Sequence, residues 1–409
     1  MLGLMVLGMA GTIWGPRFYG TKVWATPDDL WATLTAAQRL LHGDLAGLYT
    51  KPTNLVSFPG AAIILVPIVA IIDAAGLPIT IPGPLQGANH GVWLLAGFYL
   101  VAISAVALFA ADAIAEHLGV SRPKRALLAA ASAVALWNVT VRWGHPEDAV
   151  ATGLLLYAIL DLSNSRTGRA GWLVGAAVAV QPLVLLPLPI LIAVIEPRRL
   201  AGFLARSIAP AAVLLAAAAA ANWHATYTAV AKQPNYPTVD HATPWLFLAP
   251  HLSRGTVAAG PARMLAIVVA CGCAVAVGLR WRARRRDQAT RPAGWTHEEL
   301  REVLWWTAVA LALRCVFESV MVAYYLWPPL AVALITAARG WLRLLAAGAV
   351  AATLSFVTQI AWQNTWGWYD MVGIGLVLTL FAASSWPTPP PPEQVLPEPG
   401  EQFVTDSAP

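Results

Sequence analysis

Apolar residues dominate twelve stretches of the chain, at about 1–14, 59–75, 91–115, 126–143, 147–163, 171–195, 207–222, 263–281, 303–317, 320–337, 343–361 and 369–385. A straight membrane crossing needs about 20 apolar residues. The 171–195 stretch exceeds that, and Gln181-Pro182, Pro187 and Pro189 interrupt it, so it predicts a hairpin of two short helices. The 59–75 stretch is short, contains Pro67 and ends at Asp73, which predicts a helix lying on or dipping into one face. Basic residues orient the rest. Clusters at 122–125, 166–169, 198–206, 280–301 and 339–343 hold 17 of the 26 Lys and Arg residues. They fall on one side of the membrane if 171–195 is a hairpin and 59–75 does not cross, and the positive-inside rule makes that side cytoplasmic.

The expected fold is an all-α, polytopic transmembrane bundle of about twelve crossings over residues 1–385, with both termini cytoplasmic. Long outer loops cover about 15–90, carrying amphipathic helices, and 223–262. The tail 386–409, with Pro387 and Pro389 to Pro392, predicts a disordered cytoplasmic segment.

Composition agrees. Of 409 residues, 58% are hydrophobic and 11% charged, and the mean hydropathy is +0.62. Soluble domains carry about 25% charged residues. The net charge of +5 reports where basic loops sit and implies no nucleic-acid partner. Cys271, Cys273 and Cys315 all lie in apolar stretches and form no disulfide or metal pattern. Met1–Trp14 lacks a basic leader and reads as a short first crossing, not a signal peptide. The richness in Ala, Leu, Trp and Arg fits a GC-rich bacterial genome and its plasma membrane.

With charge this scarce, acidic pairs beside apolar stretches stand out. Gly144-His-Pro-Glu-Asp places His145, Glu147 and Asp148 at the mouth of the 147–163 stretch, and a second pair, Asp28 and Asp29, opens an amphipathic segment in the first outer loop. The topology puts both pairs on the outer face, together with six of the eight histidines and Trp24, Trp31, Trp143 and Trp245. Carboxylates, imidazoles and flat aromatic faces are what a carbohydrate site uses. One Asp of the first pair can cap its helix, which leaves the other free as a general base. Glu147 and Asp148 either complement the dipole of their helix or, with His145, orient a hydroxyl or bind a divalent cation, although these ligands define no particular metal. Arg314 and Glu318 are four apart and either pair with each other or leave Arg314 to grip a lipid phosphate. Tyr324 and Tyr325 precede Leu326-Trp-Pro-Pro, which predicts a helix break and a groove able to admit a prenyl chain.

An acidic pair in the first outer loop, an amphipathic helix, Ser57-Phe-Pro-Gly before a non-crossing helix, Gly144-His-Pro-Glu-Asp, the break at Gln181-Pro182 and the Tyr-Tyr-Leu-Trp-Pro-Pro segment together resemble the GT-C membrane glycosyltransferases. Within these, the chain looks like the actinobacterial polyprenyl-phosphate-mannose-dependent mannosyltransferases of glycosyltransferase family 87. The resemblance implies inverting transfer of a sugar from a polyprenyl-phosphate donor to a lipid or glycan acceptor of the cell envelope. Asp29 or Asp28 would be the base and Arg314 would hold the donor phosphate. His145, Glu147, Asp148, Glu318, Tyr324 and Tyr325 would complete the substrate site. Two rivals remain at this point. A flippase for a lipid-linked saccharide calls for inverted repeats and a midplane polar site, and the sequence shows no repeat. A non-catalytic envelope-assembly subunit would tolerate neutral replacement of both acidic pairs.

Overall fold

The computed structural model describes residues 1–18, 26–50, 53, 55, 57–79, 90–237, 240–252, 255–286, 294–358 and 364–384. Of these, 78% are helical. In chain order the helices are α1 (Leu2–Phe18), α2 (Asp28–Leu41), α3 (Pro59–Ile63), α4 (Val66–Ala74), α5 (His90–His117), α6 (Arg122–Trp137), α7 (Pro146–Ser163), α8 (Thr167–Val180), α9 (Leu188–Ala193), α10 (Pro197–Ala221), α11 (Trp223–Tyr227), α12 (Ala262–Arg286), α13 (His297–Phe317), α14 (Trp327–Ala337), α15 (Trp341–Val357) and α16 (Thr365–Ala383). The strands β1 (His241–Ala242) and β2 (Val320–Met321) form one short antiparallel pair, with His241 opposite Met321.

Four helical stretches are long and apolar enough to cross a membrane: Gly91–His117, Pro197–Ala221, Ala262–Arg284 and Trp366–Ala383. The protein is therefore helical and of membrane type. Helix α7 has 18 residues, about 27 Å at 1.5 Å per residue, but Glu147, Asp148 and Asp161 lower its hydropathy.

Proline sets many of the helix starts. Pro59, Pro146, Pro182, Pro197 and Pro328 all stand in first turns, where the missing N–H has no helical acceptor to lose. The 171–195 stretch is broken as expected: α8 stops at Val180, a 3-10 turn spans Pro182–Leu185, and α9 follows. The 59–75 stretch is divided into α3 and α4, of 5 and 9 residues, both too short to cross. Pro328 and Pro329 correct an expectation. They start α14 rather than break a helix, because the chain has already left helical geometry at β2 and the 3-10 turn Ala323–Leu326. Helix α13 opens on a capping box in which the Thr296 hydroxyl accepts from the Glu299 N–H (3.2 Å) and the Glu299 carboxylate from the Thr296 N–H (2.8 Å).

Among the described residues four apolar clusters result, and two of them are large. The larger joins α5, α7, α8, α13 and α14 around Leu155, Ile159, Val174, Leu311 and Val332. The smaller buries Leu30, Trp31 and Leu34 of α2 against Leu65, Ile68 and Ile72 and against Leu100 of α5. Helix α2 thus lays its apolar stripe on the bundle, as its periodicity predicts. Close approach needs glycine at two points. A Cβ on Gly60 would stand 2.3 Å from the Ala179 carbonyl oxygen, and one on Gly175 would stand 2.3 Å from that of Arg206. The first contact presses α3 onto the end of α8, and the second seats α8 on α10. Residues 19–25 and 80–89, within the loop expected on the outer face, and the tail 386–409, expected to be disordered, lie outside the described residues.

Candidate functional site

The turn before α7 builds the site. Gly144 has φ +72°, and a Cβ there would meet the Leu30 Cβ at 2.7 Å. Glycine therefore lets the turn take a left-handed conformation and close on the first turn of α2. That closure places His145 between two carboxylates. Its Nδ1 lies 2.6 Å from Glu147 Oε1, and its Nε2 lies 3.1 Å from Asp29 Oδ2. The ring stacks on Tyr324, with centroids 3.9 Å apart and planes at 23°. A neutral imidazole has one N–H, so two carboxylate acceptors call for the imidazolium. Burial opposes that charge, but the Glu147 and Asp29 carboxylates outweigh it and hold the pKa well above the ordinary imidazole value. For Asp29, burial favours the neutral acid, yet the His145 hydrogen bond and charge prevail and bring its pKa below the usual carboxylate range.

These groups face a cavity of about 350 Å³, also lined by Gln181, Asp240, Arg314, Tyr324 and Tyr325. Arg314 is largely buried, and its guanidinium carbon sits 3.6 Å from the centre of the Tyr325 ring. Its nearest carboxylate oxygen, Glu318 Oε2, is 3.9 Å away. Among the described residues it makes no hydrogen bond, and it lines the cavity.

Asp240 was not singled out by sequence reasoning, although it is the only acid between residues 223 and 262. Pairing of the next residue, His241, with Met321 fixes its position. Among the described residues its carboxylate has no hydrogen bond or ion pair. Burial, and then the charge of Asp29, push its pKa up to about 6, against a smaller opposing effect of His145. Nothing in the sequence marks Asp240 over Asp44, Asp73 or Asp370; its position depends on the fold. Gln233, Asn235 and Tyr236, on the same loop, also reach the cavity.

Six of the expected site residues thus come together: Asp29, His145, Glu147, Arg314, Tyr324 and Tyr325. Two do not reach the lining. Asp148 is fully buried below it, where Oδ1 accepts from Gln181 Nε2 at 2.7 Å and Oδ2 has no partner. Its place one residue after Glu147 turns it inward from the helix start, so it supports the site from beneath. Glu318 is also buried and is clamped by Arg263, whose Nε donates to Oε2 at 3.1 Å and whose Nη2 donates to Oε1. A two-pronged guanidinium contact outcompetes the looser i,i+4 approach of Arg314. Glu318 therefore ties α12 to the end of α13. Asp28 begins α2, and its side chain lies outside the described residues. Among the described residues no group of three or more His, Cys, Asp or Glu is placed to hold a metal ion.

No protein-family model matches this sequence, and no curated protein matches it significantly.

Proposed function

We propose that the protein is a membrane glycosyltransferase that moves a sugar, mannose by the resemblance, from a polyprenyl-phosphate donor to a lipid or glycan acceptor. The reaction is placed at the outer face of a bacterial plasma membrane, in a bundle of about twelve crossings with both termini cytoplasmic. One observation carries the reading: Arg314, a largely buried guanidinium with no hydrogen bond among the described residues, lines one cavity with Asp29, Glu147 and Asp240, none of which pairs with it.

In this reading the acceptor hydroxyl gives its proton to Asp29 as its oxygen attacks the anomeric carbon. The bond from that carbon to the phosphate oxygen breaks, and the electron pair leaves with the polyprenyl phosphate. Arg314 meets the charge of the departing phosphate. His145 holds one oxygen of Asp29 at 3.1 Å and leaves the other for the hydroxyl. A weak base suffices because the phosphate is a good leaving group and positioning supplies much of the rate. Asp240, which also lines the cavity, is the alternative base.

The test is sugar transfer by purified protein in lipid nanodiscs, with radiolabelled polyprenyl-phosphate mannose and a native lipid extract. Asp29→Asn is expected to lose about 100-fold or more in rate, as removal of a catalytic acid–base group does, and Arg314→Lys, which loses the forked contact to phosphate, about 100-fold. Comparison with Asp240→Asn names the base. Equal transfer by all variants, or no transfer by the wild type across a panel of polyprenyl-phosphate sugars, overturns the reading.

A further inference from the structure

At the other end of α7 from the candidate site, a second cavity, of about 490 Å³, opens between the α7–α8 turn and the first turns of α10. Arg166, Arg169, Arg198, Arg199 and Arg206 converge on it. Two carboxylates answer these five guanidiniums. Asp161 lies 2.9 Å from Arg169 and 3.8 Å from Arg166, and Glu196 lies 3.4 Å from Arg199. Arg206 donates to the Gly202 carbonyl at 2.8 Å, and Arg198 has no partner among the described residues.

Two carboxylates leave this group of five guanidiniums with an excess of positive charge. Arg166 and Arg169 flank the N-terminus of α8, and Arg198 and Arg199 stand in the first turn of α10. Both ends carry the positive pole of a helix and neither has a side-chain cap. Arg206 leans from α10 onto the α8 start, its guanidinium carbon 3.9 Å from where a Cβ of Gly168 would be. Positive-inside bias accounts for arginine in this loop. It does not account for cations gathered around one hollow at two positive helix ends. Helix α10 is long and apolar enough to cross a membrane, and the hollow lies at its N-terminal end, where a crossing helix meets lipid headgroups.

We propose that this arginine basin binds a phosphate-bearing anion, either an anionic phospholipid headgroup or free phosphate. The site is independent of the transfer reaction proposed above.

Native mass spectrometry of the full chain, equilibrated with phosphatidylglycerol or phosphatidylcholine, tests it. Arg166→Gln combined with Arg198→Gln removes two exposed charges, and Arg282→Gln is a control outside the basin. The wild type and the control are expected to retain phosphatidylglycerol preferentially, and the double variant to retain it about tenfold less, with an unchanged unfolding temperature in phosphate-free buffer. Retention that inorganic phosphate does not displace identifies the headgroup as the source. Stabilisation by millimolar inorganic phosphate, without lipid preference and absent in the double variant, identifies free phosphate. Equal lipid retention by all three proteins, with no effect of phosphate on any of them, overturns the proposal.

Discussion

His145 offers the sharpest physical test of the site, because two carboxylates grip one ring. In Glu147→Gln the side chain keeps its shape and loses its charge. The contact removed is a charge-assisted hydrogen bond of 2.6 Å at a buried carboxylate. Such a bond contributes about 1.5–3 kcal/mol, and one pKa unit corresponds to about 1.4 kcal/mol. The imidazole pKa should therefore fall by about 1–2 in the variant. Folding raises this pKa, so the paired imidazolium stabilises the protein fully below the ordinary imidazole value of about 6.5. That contribution is lost as pH rises through the raised folded value. The wild type should accordingly exceed Glu147→Gln in stability at pH 6, and the gap should narrow as the solution turns alkaline. Nitrogen-15 NMR of histidine-labelled protein in micelles, with His145→Gln assigning the resonance, measures the titration. Thermal unfolding across pH measures the linkage. An imidazole that titrates at the same pH with and without the Glu147 charge would refute the pairing as its cause.

Three further outcomes follow from named contacts. Glu318→Ala leaves Arg263 without its two-pronged partner and should cost about 2–3 kcal/mol by thermal unfolding, discounted from the fully buried case because Arg263 reaches solvent. Gly60→Ala drives a Cβ to 2.3 Å from the Ala179 oxygen, and overpacking of about 1–3 kcal/mol should lower the unfolding temperature. Folding raises the Asp240 pKa from 3.8 to about 6, so wild-type stability should decline relative to Asp240→Asn as pH rises through that interval; parallel stability profiles of the two proteins would count against the buried carboxylate.

Local features were legible in the sequence and long-range partners were not. Gly144-His-Pro-Glu-Asp announces a helix start because proline and acids favour a first turn, and α7 begins there. Gln181-Pro182 announces the break after α8 for an equally local reason. The meeting of His145 with Asp29 joins residues 116 apart, and no periodicity encodes it. Glu318 shows how a local rule is overridden. Spacing of four favours Arg314, yet Arg263, 55 residues away, takes the carboxylate with better geometry. Asp148 shows the limit of reading burial from neighbours. It adjoins a lining residue, but Gln181, 33 residues on, meets it beneath the cavity.

That rearrangement leaves Arg314 with Glu318 only at 3.9 Å and Asp240 with no ion pair among the described residues, both on one cavity. In a fold arranged for stability alone, opposite charges at this depth would be drawn together, since each is costly when unpaired. Keeping them separate is useful only if something else meets both. A phosphate supplies acceptors to Arg314 and no donors to Asp240, whereas a sugar hydroxyl supplies a donor to Asp240 and little to a guanidinium. A glycosyl phosphate carries both kinds of group on one molecule. The separation of charges therefore supports a ligand that is anionic at one end and hydroxylated at the other, over one that is only anionic or only sugar.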